Sequence, residues 1–231
     1  MDDLRVLSGW RQREVLIVLG LALASLVLWR VPVLGLAAYP FRLFGTFVHE
    51  ICHGLAAVIT GGAFRRFEIN ADLSGVAFSA GGVRWIISSA GYVGSALFGG
   101  LLMVLAARGV AAREVIFGLG VALALLCLLF VRNLFGIATG LALSAALIWA
   151  GRALREEWAD WLLLFLAVQL ILDALNSILD LLRISTSLRG VITDAEIMAR
   201  STGIPAIFWA LAWAALSAFI LYWSVKIAYK K

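Results

Sequence analysis

Apolar stretches, each about 20 residues long and nearly uncharged, recur from one end of this chain to the other. Apolar residues make up 63% of the chain and charged residues 14%, whereas soluble domains average about 45–50% apolar residues. In lipid every backbone polar group must be satisfied within the protein, and isolated apolar segments achieve this as helices. The sequence therefore predicts an all-α polytopic membrane protein with about six or seven transmembrane helices.

The predicted spans follow closely on one another and leave no room for a separate soluble domain. They cover residues 15–29, 41–60, 85–107, two shorter stretches within 114–150, 158–182 and 204–227. Pro32 and Pro40 favour an irregular segment before the second span. We expect residues 1–231 to form a single integral membrane domain. The net charge of +5 comes from basic residues near predicted helix ends, which favours contact with membrane lipid and argues against a nucleic acid partner.

The second span contains the only two histidines of the chain, in the sequence His49-Glu50-Ile51-Cys52-His53. Positions i and i+4 of a helix share one face, so both imidazoles can bind one metal ion, and the adjacent Glu50 can act as a general base on water. Chance histidines packed between helices, or a pair that binds haem, are the alternatives. Because ionisable groups inside a span are costly and usually functional, we favour a zinc site with Glu50 as the catalytic residue.

A catalytic zinc ion normally has three protein ligands, and the chain has no third histidine. The remaining ligand is therefore expected to be a carboxylate. Asp173 and Asp180 form a polar stripe with Asn176 on the predicted helix 158–182. Asp194 follows Thr193 in a capping box, which gives it an ordinary role at a helix start. The cost of a carboxylate inside the membrane ranks Asp180 first, Asp173 second and Asp194 third.

Residues 63–80 follow the motif helix and differ from the spans. Apolar residues such as Phe67, Ile69 and Val76 alternate with polar ones, and turn-forming residues cluster between the two halves. This pattern predicts a short β-hairpin.

The sequence pattern assigns no chemical role to several small or polar residues. Gly91 and Gly99 lie on one face of the third span, where small residues let helix backbones approach closely. Thr46, one turn before His49, either faces the site or packs between helices, and packing is favoured. Arg132 and Asn133 form a polar pair where the spans within 114–150 are interrupted, and their spacing assigns no role.

The motif and its flanks resemble the M50 family of site-2 protease-like intramembrane metallopeptidases, in particular the M50B-like branch. The most specific part is the stretch 48–62 with Ser74-Gly75-Val76 after it. Residues 90–95, 132–136 and 193–205 are also similar to that branch. The resemblance implies zinc at the two histidines, Glu50 as the catalytic glutamate, and a hairpin that dips into the membrane to guide substrate.

One family feature has no direct counterpart in this chain. The third ligand of better-studied site-2 proteases is the aspartate of a Leu-Asp-Gly motif. Here the corresponding candidates read Leu172-Asp173-Ala174 and Leu179-Asp180-Leu181. The resemblance therefore leaves the third ligand open among the three aspartates.

Together these features predict an intramembrane zinc metalloendopeptidase, of the kind that acts in regulated intramembrane proteolysis. Its substrate would be a transmembrane protein or peptide, hydrolysed in or near its membrane segment, and its location a bacterial cell membrane that it crosses several times. Two alternatives belong to other classes. One is a non-proteolytic metal-binding membrane protein, and the other, less favoured, is a small transporter, since the spans show no internal repeat.

Overall fold

The computed structural model describes residues 12–29, 31–187 and 193–229, with side chains described except at 12–14, 32–34 and 173–187. Within these ranges the elements follow in the order α1 (Gln12–Leu28), α2 (Pro32–Ile59), β1 (Ala63–Ile69), β2 (Gly75–Ala80), α3 (Arg84–Ala107), α4 (Ala112–Phe130), α5 (Leu134–Ala153), α6 (Glu156–Ser187), α7 (Asp194–Thr202) and α8 (Ala206–Tyr229).

Apolar helices dominate this architecture. Among the described residues, α3, α4, α5 and α8 are long and apolar enough to cross a membrane, and Val15–Leu28 of α1 is a shorter apolar helix. Helix α2 carries the polar motif, and α6 includes all of the predicted span 158–182. The predicted class, an all-α polytopic membrane protein with a short hairpin after the motif helix, is confirmed.

Helix α2 begins earlier than the sequence predicted. Its first helical residue is Pro32, and the helix runs through Pro40 to Ile59 without interruption. The irregular segment predicted before residue 41 is therefore wrong. The physical reason at Pro32 is that proline suits the first turn of a helix, where its missing N–H would have no helical partner and its φ already has the helical value. Pro40 lies inside the helix, where it removes one backbone hydrogen bond without ending the helix.

The core of the bundle lies between α3 and α6. Its largest fully buried side chains on these two helices are Leu102, Met103, Leu163, Leu166, Leu170 and Ile171. A Cβ atom added to Gly99 of α3 would lie 2.6 Å from the carbonyl oxygen of Ala167 in α6, so only glycine permits this backbone contact. On the other side of α6, the buried Gln169 donates a hydrogen bond of 3.1 Å from Nε2 to Ser25 Oγ of α1. These contacts hold α6 centrally in the bundle.

The hairpin is an antiparallel pair of strands that covers part of α2. Its register runs from Ala63 opposite Ala80 to Ile69 opposite Gly75. Phe67 and Ile69 of β1 are fully buried, whereas most of β2 is exposed. The turn is tied to α2 because the Thr46 hydroxyl donates to the carbonyl oxygen of Leu73 at 3.1 Å. Thr46 therefore ties α2 to the hairpin turn through a hydrogen bond, which is more than the plain helix packing favoured from the sequence.

We predict that Gly99→Ala destabilises the folded bundle by about 1–3 kcal/mol, because the added methyl group must push α3 away from α6. Thermal unfolding in detergent micelles measures the effect. Gly118→Ala in α4 is the matched control, since a Cβ atom there meets nothing within 4 Å. Equal unfolding temperatures for the two variants would contradict the close α3–α6 contact.

Candidate metal centre

The three motif residues lie together on the buried face of α2. His49, Glu50 and His53 are only 9%, 4% and 6% exposed. Their potential ligand atoms all lie within 4.8 Å of one another, and the centroids of the two imidazole rings are 4.7 Å apart. The helical spacing thus has the predicted result, with two imidazoles and one carboxylate concentrated at one point of an apolar helix.

A second carboxylate reaches the histidines from the far end of the chain. Asp194 Oδ2 lies 3.1 Å from His49 Nε2 and 3.3 Å from His53 Nε2, and its side chain is 19% exposed. Zinc–ligand bonds of about 2.0–2.1 Å at tetrahedral angles put neighbouring donor atoms roughly 3.3 Å apart. Each of the two nitrogens therefore lies from the carboxylate oxygen at the spacing of neighbouring zinc ligands, and the three groups have the chemistry of a three-ligand zinc site.

The backbone of α3 orients one of the imidazoles. His53 Nδ1 lies 2.5 Å from the carbonyl oxygen of Ile87, which can only accept a hydrogen bond. Nδ1 must therefore carry the proton, and in the neutral ring Nε2 keeps its lone pair, directed toward His49 and Asp194. This is the usual arrangement of a metal-ligating histidine, in which the second nitrogen donates to a carbonyl or carboxylate.

Asp194 is presented by the start of the short helix α7, which lies between the last two predicted spans. The Thr193 hydroxyl accepts a hydrogen bond from Glu196 N at 3.2 Å, so the predicted cap is present. The Glu196 side chain turns away and pairs with Arg200 at 3.0 Å. Capping and proximity to the histidines are compatible, because Thr193 caps the helix and leaves the Asp194 carboxylate unused for that purpose.

An aromatic cluster holds α7 against the histidines. Ala195 and Met198 of α7 pack with Trp213 of α8, and Tyr92 of α3 joins the same cluster. The Tyr92 ring meets His49 edge to face at 4.5 Å and stacks on Trp213 at 5.1 Å. Neither aromatic residue was assigned to the site from the sequence, because their partners are distant in the chain.

The protonation of Asp194 suits a ligand role. Burial by itself favours the neutral acid, but the positive charges that His53 and His49 carry when they are protonated, together with their hydrogen bonds, hold the pKa of Asp194 well below its usual range. The group is therefore an ionised carboxylate, the form that binds a metal ion.

Two glycines allow the surrounding backbone to approach the motif. A Cβ atom added to Gly91 of α3 would overlap His49 Nε2, and one added to Gly75 of β2 would lie 2.6 Å from Glu50 Oε1. Any larger residue would displace the motif side chain. The sequence marked Gly91 as a helix-packing residue within a stretch similar to the M50B-like pattern, and Gly75 only through its resemblance to that pattern.

The predicted ligands of α6 lie where the structure gives no side-chain positions. Asp173 and Asp180 belong to the described helical backbone, but their side chains lie outside the described part of the chain. The first-ranked Asp180 therefore stays a prediction. The described residues bring together His49, Glu50, His53 and the third-ranked Asp194.

We predict that Gly91→Ala lowers zinc affinity, because the new methyl group occupies the space of the His49 imidazole. Zinc content after dialysis against a graded series of zinc buffers measures the change. Gly94→Ala is the matched control on the same helix, since its Cβ atom would meet Cys52 at 2.9 Å, with neither histidine nor Glu50 among its nearest contacts within 4 Å. Equal zinc retention by the two variants would argue against a ligand position for His49.

One family of known proteins is similar to most of this chain. The family model of Peptidase M50B-like proteins matches residues 18–224, which include the motif helix, the hairpin and the Asp194 segment. Neither the curated proteins nor the solved structures include a match to the chain. The match covers most of the chain, and the protein therefore belongs to the Peptidase M50B-like family.

Proposed function

We propose that this protein is a zinc-dependent intramembrane endopeptidase that hydrolyses peptide bonds in or near transmembrane segments of substrate proteins. One observation carries this proposal. The imidazoles of His49 and His53 meet the carboxylate of Asp194 inside an apolar helical bundle, and the buried carboxylate of Glu50 lies beside the two imidazoles. Family membership supports a peptidase, and the apolar helices support a site within the membrane.

In this proposal His49, His53 and Asp194 hold the zinc ion. Asp194 Oδ2 lies 3.1 Å from His49 Nε2 and 3.3 Å from His53 Nε2. The hydrogen bond from His53 Nδ1 to Ile87 sets the tautomer of His53. Bound zinc supplies Lewis-acid polarisation of the scissile carbonyl and makes water more acidic. We prefer Asp194 to Asp180 because its carboxylate already contacts both imidazoles.

Glu50 acts as the general base and then as the general acid. Its carboxylate takes one proton from the attacking water, and the water oxygen forms the new bond to the carbonyl carbon. The same proton passes to the amine nitrogen as the peptide C–N bond breaks, so the reaction consumes one water and leaves one acid and one amine. Burial of Glu50 under Gly75 limits the orientations of its carboxylate and favours these transfers.

The exposed edge of the hairpin offers a place for an extended substrate. One edge of β1 pairs with β2, and its other edge bonds to the segment after α4, where Val131 bridges Phe67. The described sheet has two strands, which leaves the exposed outer edge of β2 for a further strand. A transmembrane segment must unwind before a peptide bond is attacked, and pairing with β2 would hold it extended close to Glu50.

We predict that Glu50→Gln lowers cleavage by about 10²–10⁴-fold while zinc stays bound, because the amide cannot accept the water proton. Purified wild type and variant are compared on a synthetic transmembrane substrate in proteoliposomes, with zinc content measured on the same samples. Removal of zinc with a chelator should abolish wild-type cleavage, and added zinc should restore it.

Two other outcomes would contradict parts of this proposal. Cleavage by Glu50→Gln at the wild-type rate would remove Glu50 from the mechanism. Zinc retention by a wild-type protein that cleaves no membrane peptide would favour the non-proteolytic metal-binding alternative.

The third ligand is tested by a pair of isosteric variants. We predict that Asp194→Asn weakens zinc binding by more than about 100-fold, because an amide is a poor substitute for an anionic ligand. Loss of a group that only supports a ligand weakens metal binding by at most about 100-fold. Asp180→Asn is the matched control and should bind zinc like wild type. The reverse result, zinc loss only in Asp180→Asn, would return the ligand role to the aspartate that the sequence ranked first.

A further inference from the structure

The short segment between α4 and α5 pairs with the edge of β1 that does not face β2. Val131 forms a parallel bridge with Phe67, and Arg132 N donates to the Phe67 carbonyl oxygen at 3.2 Å. Asn133 then continues the pairing with its side chain. Its Oδ1 accepts from Ile69 N at 3.1 Å, and its Nδ2 donates to the Ile69 carbonyl oxygen at 2.6 Å. One amide thus satisfies both backbone groups of a residue that is fully buried.

This use of Asn133 departs from what its local position favours. Asn133 stands at the N-cap of α5, where asparagine normally accepts a hydrogen bond from the first turn of the helix. Its side chain makes no such bond in the described structure. Gly136 permits this orientation, since a Cβ atom there would lie 2.5 Å from Asn133 Oδ1. The amide therefore lies against the first turn of its own helix without capping it, and makes its hydrogen bonds to the hairpin.

The contact between Asn133 and Ile69 is linked to the motif residue Glu50 through Gly75. Ile69, held by Asn133, is the register partner of Gly75. Gly75 packs on Glu50, so closely that a Cβ atom there would lie 2.6 Å from Oε1. The turn that joins Ile69 to Gly75 is held on its other side by Thr46, which donates to Leu73. A shift of Ile69 would therefore move the backbone that confines the Glu50 carboxylate.

We propose that Asn133 is a positioning residue for Glu50, acting through Ile69 and Gly75 of the hairpin. The proposal rests on the function proposed above for Glu50. The hydrogen bonds of the Asn133 amide go to Ile69 of the hairpin, so the proposal assigns this residue to the placement of the general base and gives it no part in binding zinc. It also assigns a purpose to Asn133, which the sequence left without one.

The decisive variants are Asn133→Asp and Asn133→Ser. Asparagine, aspartate and serine are nearly equivalent at a helix N-cap, so a residue that merely starts α5 would tolerate both changes. Aspartate keeps an acceptor for Ile69 N but sets a carboxylate oxygen against the Ile69 carbonyl oxygen, and serine is too short to reach both groups. We expect kcat to fall by roughly 10- to 100-fold, as for misplacement of a reacting group, with KM within about twofold and zinc content unchanged.

Hydrogen exchange provides a readout that does not depend on cleavage. The Ile69 amide should exchange faster in both variants than in wild type, whereas amides in the middle of α2 should not change. Glu50→Gln, with Asn133 intact, should keep the slow exchange at Ile69 and lose cleavage.

Two results would overturn the proposal. One is wild-type kcat in Asn133→Asp and Asn133→Ser, which would reduce Asn133 to a helix start. The other is zinc loss in proportion to activity, which would mean that Asn133 acts through the metal centre or the fold as a whole. Absence of cleavage by wild type would instead refute the function proposed for Glu50, and exchange at Ile69 would then decide separately whether Asn133 holds the hairpin.

Discussion

The structure depends on the meeting of two imidazoles and two carboxylates within an apolar helical bundle. Ionisable groups in such surroundings are expensive unless they are paired or bind a metal ion, so their neighbours must hold them in one arrangement. His49 and His53 share a helix face, Asp194 lies beside both, and the Ile87 carbonyl fixes one ring. The aromatic contacts of Tyr92 and Trp213 keep α7 close enough for its carboxylate to reach α2.

A second constraint comes from the hairpin, because it is non-helical backbone in a protein made mainly of apolar helices. Backbone polar groups that are buried from water are costly unless they are hydrogen-bonded, and β1 carries the buried residues Phe67 and Ile69. The 131–133 segment supplies such hydrogen bonds to β1, and Thr46 supplies one at the turn. The hairpin is thereby held close enough for Gly75 to pack on Glu50, so the satisfaction of its backbone and the shape of the site are coupled.

Much of this arrangement could be predicted from local sequence patterns. Runs of apolar residues located the helices, alternation located the hairpin, and Thr193 marked the start of α7. Local reasoning was wrong where proline was taken to interrupt the chain before residue 41, since Pro32 instead occupies the first turn of α2. It also had no means of linking Asn133 to Ile69, because the two residues are 64 positions apart and share no periodic pattern.

The sequence by itself determined the membrane class, the hairpin and the pairing of His49 with His53, because each follows from the repeat of a single helix or strand. Only the tertiary structure decided which side chains meet those histidines. Asp194 seemed occupied as part of a capping box, yet the fold leaves its carboxylate beside both imidazoles. Gly75 and Asn133 likewise acquire their roles through contacts between distant elements. Long-range packing decides such contacts, and packing depends on the shapes of all the elements together.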